Sequence, residues 1–205
     1  MSLLARELTA VAVAPRARRA SGNRASKFRR ASTAAVTSTS TPSSTSEKDF
    51  PSFFPPEVRE LTEPAAIDMA KRCELVEVAV PGRADAVLTS CVGDAGPEGS
   101  KLAPFVLLHG FDSSCLEYRR LFPKLAAKTE TWAVDLLGWG FTDARDGGVG
   151  DYSPEAKRAH LYAFWKEKIG RPMVLCGASL GGAAAIDFAT NHPEAVEKLV
   201  LVASG

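Results

Sequence analysis

The sequence has no apolar run of about 18 residues, the length a helix needs to cross a bilayer, so no membrane-spanning helix is expected. Its four cysteines, Cys73, Cys91, Cys115 and Cys176, include no two at metal-ligand spacing, which argues against a zinc site. In an organellar or cytosolic setting they are expected to be free, mostly buried thiols. A phosphate-cradling glycine loop is also missing. Gly138 and Gly140 form a Gly-x-Gly pair, but the third glycine of a dinucleotide loop is not there. No cofactor and no metal are therefore implied. The most uneven shortage is of acid: between Glu7 and Glu47 the chain has no carboxylate side chain.

That gap divides the chain. The formal net charge of the 205 residues is +1. Residues 1–46 hold seven Arg, one Lys and one Glu, a net of +7, which leaves −6 for residues 47–205. Fifteen of the first 46 residues are Ser or Thr, and large apolar groups are few. Such a segment cannot offset the chain entropy lost on folding, so it is expected to be disordered. Arg-rich, Ser-rich and acid-poor is the composition of an organelle transit peptide. The dominance of hydroxyl residues favours a chloroplast or other plastid, with the mitochondrion as the alternative. A secretory signal fits less well, because its apolar stretch, Leu8–Ala14, is cut by Pro15 and followed by Arg16, Arg18 and Arg19. The arginines are scattered without interleaved aromatics, so nucleic-acid binding is not expected.

Residues 47–72 read as a linker and a short helix. Phe50–Pro56 carries three phenylalanines that can dock on a domain, and Pro64 suits the first turn of a helix ending near Arg72. Residues 73–205 form the remaining unit. Leu75, Val76, Val78 and Val80 alternate, Pro81-Gly82 turns, and Ala86–Cys91 returns, which is a hairpin. A Gly-rich loop, Gly93–Lys101, follows. Then the pattern changes to short continuous apolar runs: Phe105–Leu108, Thr131–Leu136, Met173–Cys176 and Leu199–Val202. These are strands buried on both faces. Between them lie helical stretches. Residues 114–127 read as one helix with Leu116, Leu121 and Leu125 on its apolar face and a break or kink at Pro123. Ser153 caps a helix with Pro154 at its first position, burying Leu161, Phe164 and Trp165. Leu180–Thr190 is a small-residue helix ending at His192-Pro193. Strands alternating with helices predict an α/β fold, a mostly parallel sheet with helices on both faces and the antiparallel hairpin at one edge.

Chemistry concentrates at Gly177–Gly182. The spacing Gly177-Ala-Ser179-Leu-Gly181 falls between a buried strand and a helix. A sharp strand-to-helix turn lifts the Ser179 hydroxyl clear of the sheet, and side chains at Gly177 and Gly181 would collide in so tight a turn. The helix N-terminus then directs backbone N–H groups to the space beside the hydroxyl, where they can stabilise an oxyanion. Gly182 continues the small-residue run. A second group, His109-Gly110-Phe111, follows the Phe105–Leu108 strand, where an elbow enzyme needs its other oxyanion donor. The Phe111 N–H is the candidate donor, paired with the Leu180 N–H. Gly110 lets backbone approach the substrate, and His109 is expected to shape the loop rather than act as base.

Three motifs together, Val106-Leu-Leu-His-Gly-Phe111, Asp135-Leu-Leu-Gly-Trp-Gly-Phe-Thr-Asp143 and Gly177-Ala-Ser-Leu-Gly-Gly182, resemble the α/β-hydrolase superfamily in the branch with an HGF-type oxyanion loop. The His192–Val196 helix exit and Lys198–Val202 are also family-like. The resemblance spans roughly residues 73–205, and residues 112–143 look like plant plastid-type members. It implies a serine hydrolase acting on an ester, thioester or amide, and it implies that Asp135–Asp143 is structural. Ser179 as nucleophile disfavours the epoxide-hydrolase and dehalogenase branches, whose nucleophile is an aspartate.

A serine hydroxyl needs a base and an acid that orients the base. After Ser179 come Asp187, Glu194, Glu197 and His192. Asp187 is two turns into the following helix, and His192 lies at its far end, roughly 20 Å away. His160 is expected to be a packing or surface residue. The family places its acid and its base after later strands, so both are expected beyond residue 205, together with the cap that shapes the pocket. The 205-residue chain is thus expected to be an incomplete catalyst, poorly folded or inactive alone, with its last strand open to self-association. The expected partner is a small-molecule acyl substrate, with lipid or phytyl esters suggested by a plastid address. A non-catalytic short product or a small-molecule binding module is the alternative, and lyase or acyltransferase chemistry on the same scaffold is a third.

Overall fold

The computed structural model describes residues 10–13, 50–142 and 150–203. The short apolar runs become the middle of one seven-stranded sheet. Its strands are β1 (Ala10–Val13), β2 (Glu74–Val78), β3 (Val87–Asp94), β4 (Phe105–Leu108), β5 (Thr131–Val134), β6 (Met173–Ala178) and β7 (Val196–Val202), in the order β1-β7-β6-β4-β5-β3-β2. Strands β4 to β7 are mutually parallel, while β2 and β3 form the expected antiparallel hairpin at one edge. Successive side chains of a strand point to opposite faces. On β4, Val106 and Leu108 join the core on one face and Leu107 the core on the other, all fully buried. This two-sided burial explains why the run reads as continuously apolar.

The first core lies under α3 (Pro154–Lys168) and α4 (Leu180–Asn191), which contribute Leu161, Phe164, Trp165 and Phe188. As expected, Ser153 caps α3: its Oγ accepts from the Ala156 N–H at 3.2 Å. The second core lies under α1 (Pro64–Lys71), a 3₁₀ turn at Cys115–Tyr118 and α2 (Phe122–Ala126). Phe54 of the linker docks into it, stacked on Phe53 and edge-on to Phe141 at 4.5 Å. All four cysteines are buried free thiols, with the Cys73 and Cys115 sulfurs 3.9 Å apart.

Several expectations are corrected. Residues 114–127 are not one helix. The 3₁₀ turn ends at Tyr118, and α2 begins only at Phe122. Pro123 lacks an N–H and is accommodated in the first turn of α2, so it starts this helix rather than kinking a longer one. The changed phase leaves Leu121 40% exposed and puts Phe122, 1% exposed, in the core. The hairpin's second strand runs on through Gly93 and Asp94, where Gly93 lies against the Trp132 ring. Residues 1–46 were expected to be without structure, but Ala10–Val13 pairs in parallel with Leu199–Val202. Pairing needs only backbone groups, and the outer side of β7 offers a row of them. β7 is therefore covered by β1 rather than left as the open edge. The rest of residues 1–46, and Asp143 at the end of the aspartate loop, lie outside the described residues.

Candidate active site

Ser179 is the single residue between the end of β6 and the start of α4. Its backbone has φ +48° and ψ −113°, a region that a residue with a Cβ adopts only under external constraint. The constraint is visible. The Ser179 N–H donates to the Val202 carbonyl of β7 at 3.0 Å, and the Ser179 carbonyl accepts from the Gly182 and Ala183 N–H groups at 2.9 and 3.1 Å. The two flanking glycines are required by close approach. A Cβ on Gly177 would stand 2.2 Å from the Gly181 carbonyl oxygen, and one on Gly181 would stand 2.2 Å from the Leu108 carbonyl oxygen. The turn holds Ser179 exposed at the C-terminal edge of the sheet.

The loop after β4 meets the elbow there. Gly110 is buried, and a Cβ on it would lie 3.6 Å from the Ala178 carbonyl oxygen and 3.7 Å from the Ser179 Cβ. The His109–Phe111 backbone therefore passes directly beside the serine side chain. Neither the Phe111 N–H nor the Leu180 N–H has a protein acceptor among the described residues. The Phe111 ring is 69% exposed and sits edge-on to Trp139 at 4.7 Å.

His109 is fully buried, and both ring nitrogens are engaged away from Ser179. Nε2 accepts from the Leu136 N–H at 3.1 Å, so the ring proton is on Nδ1, which donates to the Gly110 carbonyl at 2.8 Å. Asp135 Oδ1 lies 3.7 Å from Nε2, too far to bond and facing a lone pair already used. The ring thus bridges the loops after β4 and β5.

Asp135, which opens the motif expected to be structural, and two residues outside every quoted motif, Tyr118 and Glu117, organise the site. Asp135 is buried, and its carboxylate accepts from the Ser90 hydroxyl, from the Phe141 N–H at 2.8 Å and from the Cys115 N–H at 2.5 Å. Burial pushes its carboxyl up, against the hydrogen bonds from Phe141 and Ser90 that favour the charged form. A Cβ on Gly140 would stand 2.2 Å from that carboxylate, so this glycine serves the aspartate rather than a nucleotide. Tyr118 donates its hydroxyl to the Leu108 carbonyl at 2.8 Å, and burial pushes that phenol up. Glu117 accepts the Gly110 N–H at 2.8 Å. A contact seven residues apart across an irregular loop leaves no periodic signal in the sequence.

The other histidines and the helix carboxylate are committed elsewhere. His160 is buried with Nε2 2.7 Å from the Thr89 hydroxyl, and burial pushes it down to about 4. His192, at the far end of α4, stacks on Tyr162 at 4.0 Å and lies 3.5 Å from Glu194. Asp187 is held by Arg158 at 2.7 and 2.8 Å. The Ser179 hydroxyl makes no capping hydrogen bond to the first turn of α4. One open cleft borders the start of α4 and another borders the loops after β4 and β5. One of about 360 Å³ runs between α3 and α4 past Leu136, Leu161 and Leu180. The other, of about 700 Å³, is lined by Asp112, Glu117, Trp139 and Phe141.

Known proteins resemble this chain in sequence and fold. The Hydrolase_4 family profile, described as serine aminopeptidase, S33, matches residues 99–205, just over half of the chain. The α/β hydrolase domain-containing protein VTE7 of Arabidopsis thaliana is 45% identical over 158 residues, 75% of this chain and 46% of that protein. The chloroplastic pheophytinase of the same plant is 29% identical over 129 residues, 49% of this chain and 27% of its own length. The chain spans less than half the length of these relatives. A thermophilic esterase from Thermogutta terrifontis shares the fold at 20% identity with a TM-score of 0.54, over 62% of this chain and 44% of that one. With a family match over more than half of its length, the chain belongs to the α/β-hydrolase superfamily, in the serine aminopeptidase S33 family.

Proposed function

We propose that the protein acts on an acyl substrate, an ester above all, with Ser179 as its nucleophile. The observation that carries this reading is the strained Ser179 backbone at the β6–α4 turn with Gly110 packed against its side chain. A cost of about 1–3 kcal/mol for such a conformation is retained where it serves a purpose. The reading is further supported by the exposure of Ser179 and by the Phe111 and Leu180 amides, neither of which has a backbone acceptor among the described residues. In the reaction, Ser179 Oγ loses its proton to a base and bonds to the acyl carbon. The Phe111 and Leu180 N–H groups hold the resulting oxyanion. The bond to the leaving oxygen then breaks as that oxygen takes the proton, and water releases the acyl group from Ser179 by the same steps.

The base and its orienting acid are not among the described residues. If both lie outside the 205 residues, that chain alone should hydrolyse esters no faster than its Ser179→Ala variant. The chloroplastic relative and the basic, hydroxyl-rich first 46 residues support a plastid location, and with it a lipid-like or phytyl ester substrate. A fluorophosphonate probe tests the central claim. Labelling of the full-length protein, meaning a chain that also carries the base and its orienting acid, should map to Ser179 and vanish in Ser179→Ala. A folded full-length protein that takes no label would instead support a module that binds its ligand without turnover. Ester turnover by the 205-residue chain that disappears in Ser179→Ala would sink the idea that it is incomplete. Fusion of residues 1–46 to a fluorescent protein tests the address.

A further inference from the structure

We infer that Glu117 is a positioning residue for the oxyanion amide, an inference that rests on the hydrolase reading and deepens it. Glu117 lies on the 3₁₀ turn Cys115–Tyr118, is exposed at the lip of the larger cleft, and is not part of the nucleophile elbow or the His109–Phe111 motif. Its Oε2 nevertheless accepts the buried Gly110 N–H at 2.8 Å. The point where a Gly110 Cβ would sit is 3.6 Å from this oxygen and 3.7 Å from the Ser179 Cβ. Carboxylate and nucleophile thus converge on the same short piece of backbone.

The consequence follows from peptide geometry. The Gly110 amide plane and the next one, which carries the Phe111 N–H, share a single Cα, and a glycine there restricts neither dihedral. Gly110 is open enough to let backbone run beside Ser179, and that openness leaves the Phe111 N–H poorly aimed unless something fixes the loop. Two contacts do so from opposite ends. His109 Nδ1 donates to the Gly110 carbonyl, and Glu117 accepts from the Gly110 N–H. Both polar groups of Gly110 are therefore tied, and the Phe111 N–H is the first one along the loop left free of a protein acceptor among the described residues. A hydrogen bond to a carboxylate is stronger than one between neutral groups, which suits a contact held at an exposed lip.

The 3₁₀ turn that carries Glu117 is itself anchored. Cys115 N–H is held by Asp135, Tyr118 donates to the Leu108 carbonyl, and Arg119, just after the turn, pairs with Glu63 at 2.7 Å. The carboxylate is thus presented from a fixed base, whereas Gly110 is not fixed by its own conformational preference.

The test compares Glu117→Ala, which removes the acceptor, with Glu117→Gln, which keeps a carbonyl acceptor and removes the charge. On the folded chain, amide hydrogen exchange is read at Gly110 and Phe111. Exchange should quicken at Gly110 in Glu117→Ala, stay near wild type there in Glu117→Gln, and leave the already unbonded Phe111 amide and the core strands unchanged. On the full-length protein with p-nitrophenyl butyrate, Glu117→Ala should lower kcat by up to about 100-fold with little change in KM, because aim at the oxyanion matters only in the transition state. Glu117→Gln should restore most of that turnover. Unchanged exchange at Gly110 in Glu117→Ala would overturn the inference. So would equal kcat in wild type and Glu117→Ala, or a Glu117→Gln as impaired as the alanine variant. If the wild-type protein neither turns over nor labels at Ser179, the hydrolase reading fails, and the exchange data still decide whether Glu117 holds the loop.

Discussion

Gly181 of the nucleophile turn packs against the carbonyl oxygen of Leu108, so closely that a Cβ at position 181 would stand 2.2 Å from it. This contact joins the two functional loops, because Leu108 ends β4 and leads directly into His109–Phe111. Gly181→Ala must push the first turn of α4 away from β4, and neither side of the clash is a flexible side chain. We expect a loss of roughly 1–3 kcal/mol by urea denaturation, typical of overpacking. Fluorophosphonate labelling of Ser179 in the full-length protein should also be lost. Wild-type stability together with wild-type labelling in Gly181→Ala would show that the two loops are not coupled through this contact.

The strain at Ser179 gives a second prediction. Its φ of +48° costs any residue with a Cβ and costs glycine little. Ser179→Gly removes the nucleophile and the strain together, so stability should rise by about 1 kcal/mol while labelling disappears. Ser179→Ala removes the nucleophile but keeps the Cβ, and it should stay near wild-type stability. Thermal denaturation of the two variants side by side distinguishes strain relief from loss of the hydroxyl.

Asp135 gives a third prediction. Its carboxylate joins strand β3 to the loops after β4 and β5 through Ser90, Cys115 and Phe141. Asp135→Ala leaves these buried donors without their acceptor and should cost about 3 kcal/mol or more. Its pH dependence has a defined sign. Burial raises the folded-state value above the 3.8 of a free side chain, so in that window the folded state holds more protons than the unfolded chain. The contribution of Asp135 is therefore greatest below pH 3.8 and declines as pH rises from there through the folded value. Asp135→Asn cannot titrate. The stability of wild type relative to Asp135→Asn should fall with rising pH in acid. A difference that grows with rising pH would contradict the raised value.

The sheet centre and the nucleophile turn were legible in the sequence because each depends on local pattern. Phe105–Leu108 and Met173–Cys176 read as buried strands since both faces are covered, and Gly177-Ala-Ser179-Leu-Gly181 is a spacing that the turn itself demands. The structural role of Asp135 was implied by its motif, but its partners were not legible. Its donors lie 45 and 20 residues upstream and 6 downstream, and only the completed sheet brings them together. The error over residues 114–127 had a local cause. Leu116, Leu121 and Leu125 fit a helical face, but Pro123 confined the regular helix to Phe122–Ala126. The Glu117–Gly110 bond was invisible for a similar reason, since it spans a 3₁₀ turn whose phase the pattern did not reveal.

His160 provides the last prediction, and it separates packing from catalysis. The imidazole is 2% exposed, bonded to Thr89, and pushed down to about 4 by burial, helped by the charge of Arg83. A histidine depressed in the folded state favours folding fully above its unfolded value of 6.5, and the advantage is lost as pH falls from there to about 4. The loss should approach about 3 kcal/mol by pH 4. Urea denaturation of wild type and His160→Gln between pH 7 and pH 4 reads it directly: the wild-type midpoint should drop further than that of the variant. Hydrolytic activity of the full-length protein at pH 7 should be little changed in His160→Gln, because the ring faces Thr89 of the hairpin and not Ser179. A kcat that collapses in His160→Gln at undiminished stability would identify His160 as part of the catalytic machinery and overturn its assignment to the core.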